Sequence, residues 1–120
     1  MSSLALAAAL AAGPALAASY PVSGKWTYEN AAEDGPATEC SGRTMDFLGE
    51  RRLDTGGSVP DLRNVTVTES GPALYRVVDE FFNAQARGRV YYTLRLVDTD
   101  HLQISLDASG HTFLLRRCAS

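Results

Sequence analysis

The chain has no block of lysine or arginine, and its aromatic residues are not interleaved with a basic stripe. The electrostatic footprint of a nucleic-acid-binding protein is therefore missing. Also missing are a Gly-x-Ser-x-Gly elbow, a His-Glu-x-x-His pair and a phosphate-cradling glycine loop ahead of a helix, which removes the common signatures of hydrolases, zinc proteases and nucleotide enzymes. Histidine is scarce. His101 and His111 are the only two, both fall at hairpin ends with outward phase, and a catalytic or metal site would require them to converge across a turn. Asp79 and Glu80 are adjacent, so on a regular strand they face opposite sides and do not pair as acid and base. Cysteine is limited to Cys40 and Cys118, without the CxxC or CxxH spacing of a zinc cage. The acids Glu29, Glu33, Asp34 and Glu39 lack the alternating register of a calcium loop. No basic amphipathic helix points to a membrane surface. These absences predict a protein without a catalytic group, metal or cofactor.

Residues 1–17, by contrast, are almost entirely Ala and Leu, and Ala15-Leu16-Ala17 has the small-x-small form that signal peptidase accepts. The run is shorter than the ~20 residues of a membrane span, and Gly13-Pro14 interrupts it. We read residues 1–17 as a cleaved signal peptide, against a disordered leader or a buried helix, with no membrane insertion after cleavage and a periplasmic or secreted destination. Residues 18–120 then form one small domain with the full net charge of −3. In an oxidising compartment Cys40 and Cys118 have only each other as partners, so a disulfide is expected rather than two free thiols.

Residues 89–117 organise the mature chain. Val90, Tyr92, Leu94 and Leu96 alternate with Arg89, Tyr91, Thr93 and Arg95; Leu102, Ile104 and Leu106 alternate with polar residues; Phe113 and Leu115 repeat the pattern. Asp98-Thr99-Asp100 and Ala108-Ser109-Gly110 supply turns. Upstream, Trp26 and Tyr28, Met45 and Phe47, and Val65 and Val67 mark further inward positions. Val77-Val78 and Phe81-Phe82 break the alternation, which predicts a bulge near Asp79-Glu80 or one exposed apolar residue per pair; a short helix over residues 79–86 is the rival. Seven or eight short strands with hairpin connections and no convincing helix predict an all-β fold, a small antiparallel up-and-down barrel. Asn64-Val65-Thr66 is a glycosylation sequon on an expected strand and is discounted.

Gly24 and Trp26 on the first strand, with an arginine on the last, resemble the lipocalin-type barrels. The resemblance implies that Arg117, which shares the inward phase of Phe113 and Leu115, packs across Trp26 and closes the base. Val22-Ser23-Gly24-Lys25-Trp26, placed after a leader and followed by Cys40, is similar to the small periplasmic inhibitors of secreted bacterial metalloproteases, which share the barrel and carry one disulfide. In that family both cysteines lie in the first half of the domain, whereas Cys118 is close to the end of this chain.

Two functional classes follow. In one, the domain is a protein-interaction or protease-inhibitor-like module that engages an exported protein through Ala18, Ser19, Tyr20 and Pro21 or through the aromatics Tyr75, Phe81, Phe82 and Tyr91. In the other, a small apolar ligand occupies a lumen that Trp26, Phe47, Tyr92 and Phe113 leave unfilled. A docked amino-terminal segment argues against the first, and a dry, packed interior against the second.

Overall fold

The computed structural model describes residues 19–29, 40, 42–57, 59–83 and 86–119. The expected leader and Ala18 lie outside the described residues. Eight strands are described: β1 (Gly24–Tyr28), β2 (Thr44–Leu48), β3 (Arg51–Asp54), β4 (Asp61–Gly71), β5 (Leu74–Phe82), β6 (Arg87–Asp98), β7 (His101–Leu106) and β8 (Thr112–Arg117). Each pairs antiparallel with the next, and β8 returns to β1, so the sheet closes as an up-and-down barrel. Closure gives each strand two neighbours along part of its length and removes the aggregation-prone free edges of an open sheet.

The period-2 alternation turns one side chain in two into the lumen. Trp26, Met45, Phe47, Tyr92, Leu94, Leu102, Ile104 and Leu115 are buried there, with Val67, Val90, Leu96, Leu106 and Phe113 packed partly buried against them. Arg89 and Arg95 are exposed, as the expected register requires. Val65 departs from its expected place. The register slips between Asn64 and Thr66, so Val65 is the extra residue of a β4 bulge while Leu62 and Asn64 take the inward positions. The irregularity expected near Asp79-Glu80 therefore sits on the strand opposite. β5 itself pairs without interruption from Leu74 to Phe82 against β6, and this excludes the rival helix across those residues.

At the barrel's base, Trp26 is paired with Arg117 across the closing seam, and the Arg117 guanidinium lies 4.4 Å from the indole centroid. Its Nη2 and Nε donate to the Thr99 carbonyl at 3.0 and 3.2 Å, while the indole Nε1 donates to the Ser23 carbonyl at 3.1 Å. Gly24 makes this corner possible. Its φ of +86° is costly for a residue with a Cβ, and that Cβ would stand 4.0 Å from Arg117 Nη1.

Cys40 and Cys118 are disulfide-bonded, with Cα atoms 5.9 Å apart across a sequence separation of 78. The bond joins the segment entering β2 to the segment leaving β8, the two neighbours of β1, and so straps β1 from outside. Thr27 points away from the lumen yet is buried, with its Oγ1 3.4 Å from the Arg43 carbonyl. A loop of this length removes about 4.5 kcal/mol of unfolded-chain entropy in the chain-entropy account. Reduction is therefore expected to loosen the β1–β8 seam first. Hydrogen exchange on the reduced protein checks this: earlier loss of protection in β6 and β7 than around Trp26 and Leu115 would contradict it.

Candidate functional site

The lumen is not filled by hydrocarbon alone. Arg52, in phase with Asp54 on β3, points inward, as does Asp79 on β5; Arg52 is 5% exposed and Asp79 is fully buried. Arg52 Nε donates to Asp79 Oδ2 at 2.8 Å, and the Tyr92 hydroxyl donates to the same oxygen at 2.8 Å. Asn64 Nδ2 donates to Asp79 Oδ1 at 3.1 Å. The guanidinium also lies 4.9 Å from the Tyr92 ring centroid and 3.6 Å, through Nη1, from Met45 Sδ. Burial alone would favour loss of the arginine proton, but Tyr92 and Asp79 outweigh it and hold the guanidinium charged. Burial pushes the Tyr92 hydroxyl well up, with the Asp79 carboxylate acting in the same direction, so it stays a donor.

A second polar cluster stands at the mouth, the end opposite Trp26. Asp54 Oδ1 accepts from the Tyr28 hydroxyl at 3.0 Å and from Arg43 Nε at 3.3 Å, and Oδ2 accepts from Arg43 Nη2 at 3.3 Å. Arg43 stacks 4.2 Å over the Tyr28 ring. Burial, then Asp54, raises the Tyr28 hydroxyl.

Between the clusters is a cavity of about 180 Å3, open toward the mouth. Met45, Leu62 and Ile104 line its inner part with Arg52, and Val90, Leu106 and Phe113 its outer part with Arg43 and Asp54. Hairpin geometry puts these groups together: Arg52 stands between Phe47 and Leu62, and Asp79 between Asn64 and Val90 in the ladders.

The sequence-derived candidates are dispersed. Gly24, Trp26 and Arg117 meet at the base, and Cys40 and Cys118 flank β1. Ser19 is exposed, but Tyr20 is docked: it is 8% exposed, its ring lies edge-on to Phe47 at 5.0 Å, and its amide donates to the Gly49 carbonyl at 3.1 Å. Pro21 is half-buried beside it. Tyr20 is thus not free to enter a partner, which corrects its expected role. Its buried hydroxyl faces Asp79 and Arg52 but makes no hydrogen bond of good geometry with a described residue. Of the aromatics, Tyr75 packs against the core and Phe81 lies over Gly88, where a Cβ would come within 2.8 Å of its ring. They are therefore not part of an exposed patch, whereas Phe82 and Tyr91 are 55% and 47% exposed. Asn64, the sequon asparagine, is buried with its amide nitrogen engaged, and glycosylation there would break the Asp79 cluster.

The two histidines sit at opposite ends of the β7–β8 hairpin. His111 packs beside Phe113, and His101 Nδ1 lies 2.8 Å from Asp98 Oδ1. That contact raises the His101 pKa, and the same contact lowers that of Asp98. Any stability from this pair is present below the unfolded histidine value of ~6.5 and is lost as pH rises through the higher folded value. In an NMR titration His101 is expected to titrate at higher pH than that reference; a midpoint below it would show that the contact does not persist in solution. No group of three His, Cys, Asp or Glu among the described residues is placed to hold a metal ion.

Arg52, Arg43 and Asp54 were not singled out from the sequence, and Asp79 and Asn64 were weighed there only as half of an acid–base pair or a bulge position and as a glycosylation sequon, not as parts of a buried cluster. The available signal was phase: Arg52 and Asp54 alternate with Arg51 and Leu53, and Asp79 falls in register with Val77. No family model, no curated protein and no solved structure matches this chain.

Proposed function

We propose that this is an exported, non-catalytic binding module that admits a small, largely apolar ligand through the barrel mouth. The observation that carries this reading is the 180 Å3 cavity with an apolar wall and two guanidinium groups. Most ligand sites combine apolar lining with a few fixed polar groups in this way, although drug-sized ligands need at least ~300 Å3 and this space suits something smaller. Asp54 and Asp79 both spend their oxygens on internal donors, so neither stands ready as a general base. The disulfide supports the exported destination.

A second reading, docking to another exported protein, draws support from the surface between β6 and the end of β7. There Tyr91 borders a groove of about 390 Å3 with Arg89, Leu106 and Asp107. The amino-terminal segment gives that reading no support, because Tyr20 is committed to the core.

Native mass spectrometry of the protein recovered from periplasmic extract separates the two. A small-molecule adduct released on denaturation is expected. A protein adduct that disappears in Tyr91→Ala, with no small molecule present, would replace the ligand reading with the docking one.

A further inference from the structure

The hydrogen-bond inventory of the cavity is asymmetric, and its asymmetry specifies a ligand chemistry. Arg52 uses Nε on Asp79 and Nη1 on Met45 Sδ, while its Nη2 makes no hydrogen bond to a described residue. Arg43 uses Nε and Nη2 on Asp54, and its Nη1 is likewise without one. Every carboxylate oxygen is already taken: Asp54 Oδ1 and Asp79 Oδ2 each accept two bonds, and their companions Oδ2 and Oδ1 accept one each. Arg52 is no solvent-facing residue whose donors water meets at no cost, because its side chain is only 6% exposed while it lines the cavity. The unpaired buried atoms Tyr20 Oη and Asn64 Oδ1 belong to residues that do not line the cavity, so on the cavity wall the side-chain groups with no hydrogen bond at all to a described residue are the two guanidinium donors.

Charge narrows the class further. Arg43 with Asp54 and Arg52 with Asp79 sum to zero; Arg43, Asp54 and Arg52 line the cavity, and Asp79 is paired with Arg52 without lining it. A carboxylate or an ammonium entering here would bring an unbalanced charge into a poorly solvated space. A neutral carbonyl oxygen accepts from a guanidinium without that cost. Cavity volume sets the size: an apolar space of ~150 Å3 holds benzene, so one of about 180 Å3 takes a ring or short chain of about six to nine heavy atoms.

Building on the binding reading above, the geometry points to a small neutral carbonyl compound as the ligand, seated with its oxygen on Arg52 at the cavity floor and its apolar body between Ile104 and Phe113. This orientation places the polar end innermost. The buried cation lies at the floor, and the half-exposed apolar residues Val90, Leu106 and Phe113 lie nearer the mouth. The carbonyl gives Arg52 Nη2 an acceptor, and a hydrogen bond to a charged donor is stronger than a neutral one.

The test is a titration of the chain as exported and processed by the cell, with four compounds of similar size: acetophenone, ethylbenzene, benzoate and phenethylamine. Amide shifts of Ile104 and Phe113 are the readout. Acetophenone is expected to bind about tenfold more tightly than ethylbenzene, the worth of one charge-assisted hydrogen bond, with benzoate and phenethylamine weaker than acetophenone. Equal affinity for acetophenone and ethylbenzene would overturn the carbonyl assignment and leave the cavity as an apolar site. Tighter binding of benzoate or phenethylamine would overturn neutrality. Absence of shifts with all four would remove the binding reading itself. Arg52→Lys keeps the charge opposite Asp79 but removes the planar fork, and is expected to bring the preference for acetophenone over ethylbenzene close to one. A folded R52K that retains the tenfold preference would overturn the role of Arg52, and the wild-type series stands whether or not that variant folds.

Discussion

Asp79→Ala is expected to destabilise the barrel by about 3–5 kcal/mol, the cost of removing one member of a buried ion pair. The carboxylate is fully buried and holds together three strands' side chains: Arg52 from β3, Asn64 from β4 and Tyr92 from β6. Without it the guanidinium remains in a poorly solvated lumen with no counter-charge, and the Tyr92 hydroxyl and one Asn64 hydrogen-bond donation lose their acceptor. Few single substitutions in a domain of this size reach that cost. Replacing both ions, as in Arg52→Met with Asp79→Leu, is expected to recover most of the loss, because apolar side chains remove the desolvation penalty together with the attraction. Urea denaturation of the single and double variants gives both numbers. An Asp79→Ala protein within about 1 kcal/mol of the wild type would mean that water reaches the pair and screens it.

Trp26→Ala is expected to cost about 3–5 kcal/mol as well, by a different route: truncating a fully packed aromatic side chain loses its transfer free energy and leaves a cavity that the closed barrel relaxes only in part. The indole is 1% exposed and is sandwiched between the core and the Arg117 guanidinium. Arg117→Ala is expected to cost about 0.5–2 kcal/mol, the worth of a cation stacked on an indole. Arg116→Ala is expected to cost less than about 1 kcal/mol, since its ion pair with Glu29, at 3.5 Å, joins two partly exposed side chains. Equal losses for the two arginine variants, measured by thermal or chemical denaturation, would show that the seam is not closed by the Trp26–Arg117 stack.

The course of the chain through β6, β7 and β8 was legible residue by residue, because alternation is a local property: each inward side chain is two residues from the next whatever the remaining chain does. The pairing of Trp26 with Arg117 was legible for a related reason, since closing an up-and-down sheet leaves the first and last strands only each other. Val65 was misplaced because a bulge inserts a residue without altering composition, and its cause, the fit of β4 to β5, lies on another strand. Tyr20 was read as a free end, yet its burial depends on Phe47 and the turn at Gly49, neither of which announces a partner in sequence.

The sequence by itself determined the all-β class, the inward phase of most strands and the pairing of two cysteines, which follow from short-range periodicity or from having a single available partner; the arginine on the tryptophan followed from the resemblance to lipocalin-type barrels, with strand phase choosing Arg117. Tertiary structure alone decided the polar interior and the cavity beside it. Arg52 and Asp79 are 27 residues apart and each, read locally, is an ordinary charge on a strand. Only barrel closure takes both out of water at the same point, and there a charge must find its opposite while the donors left over select what can bind.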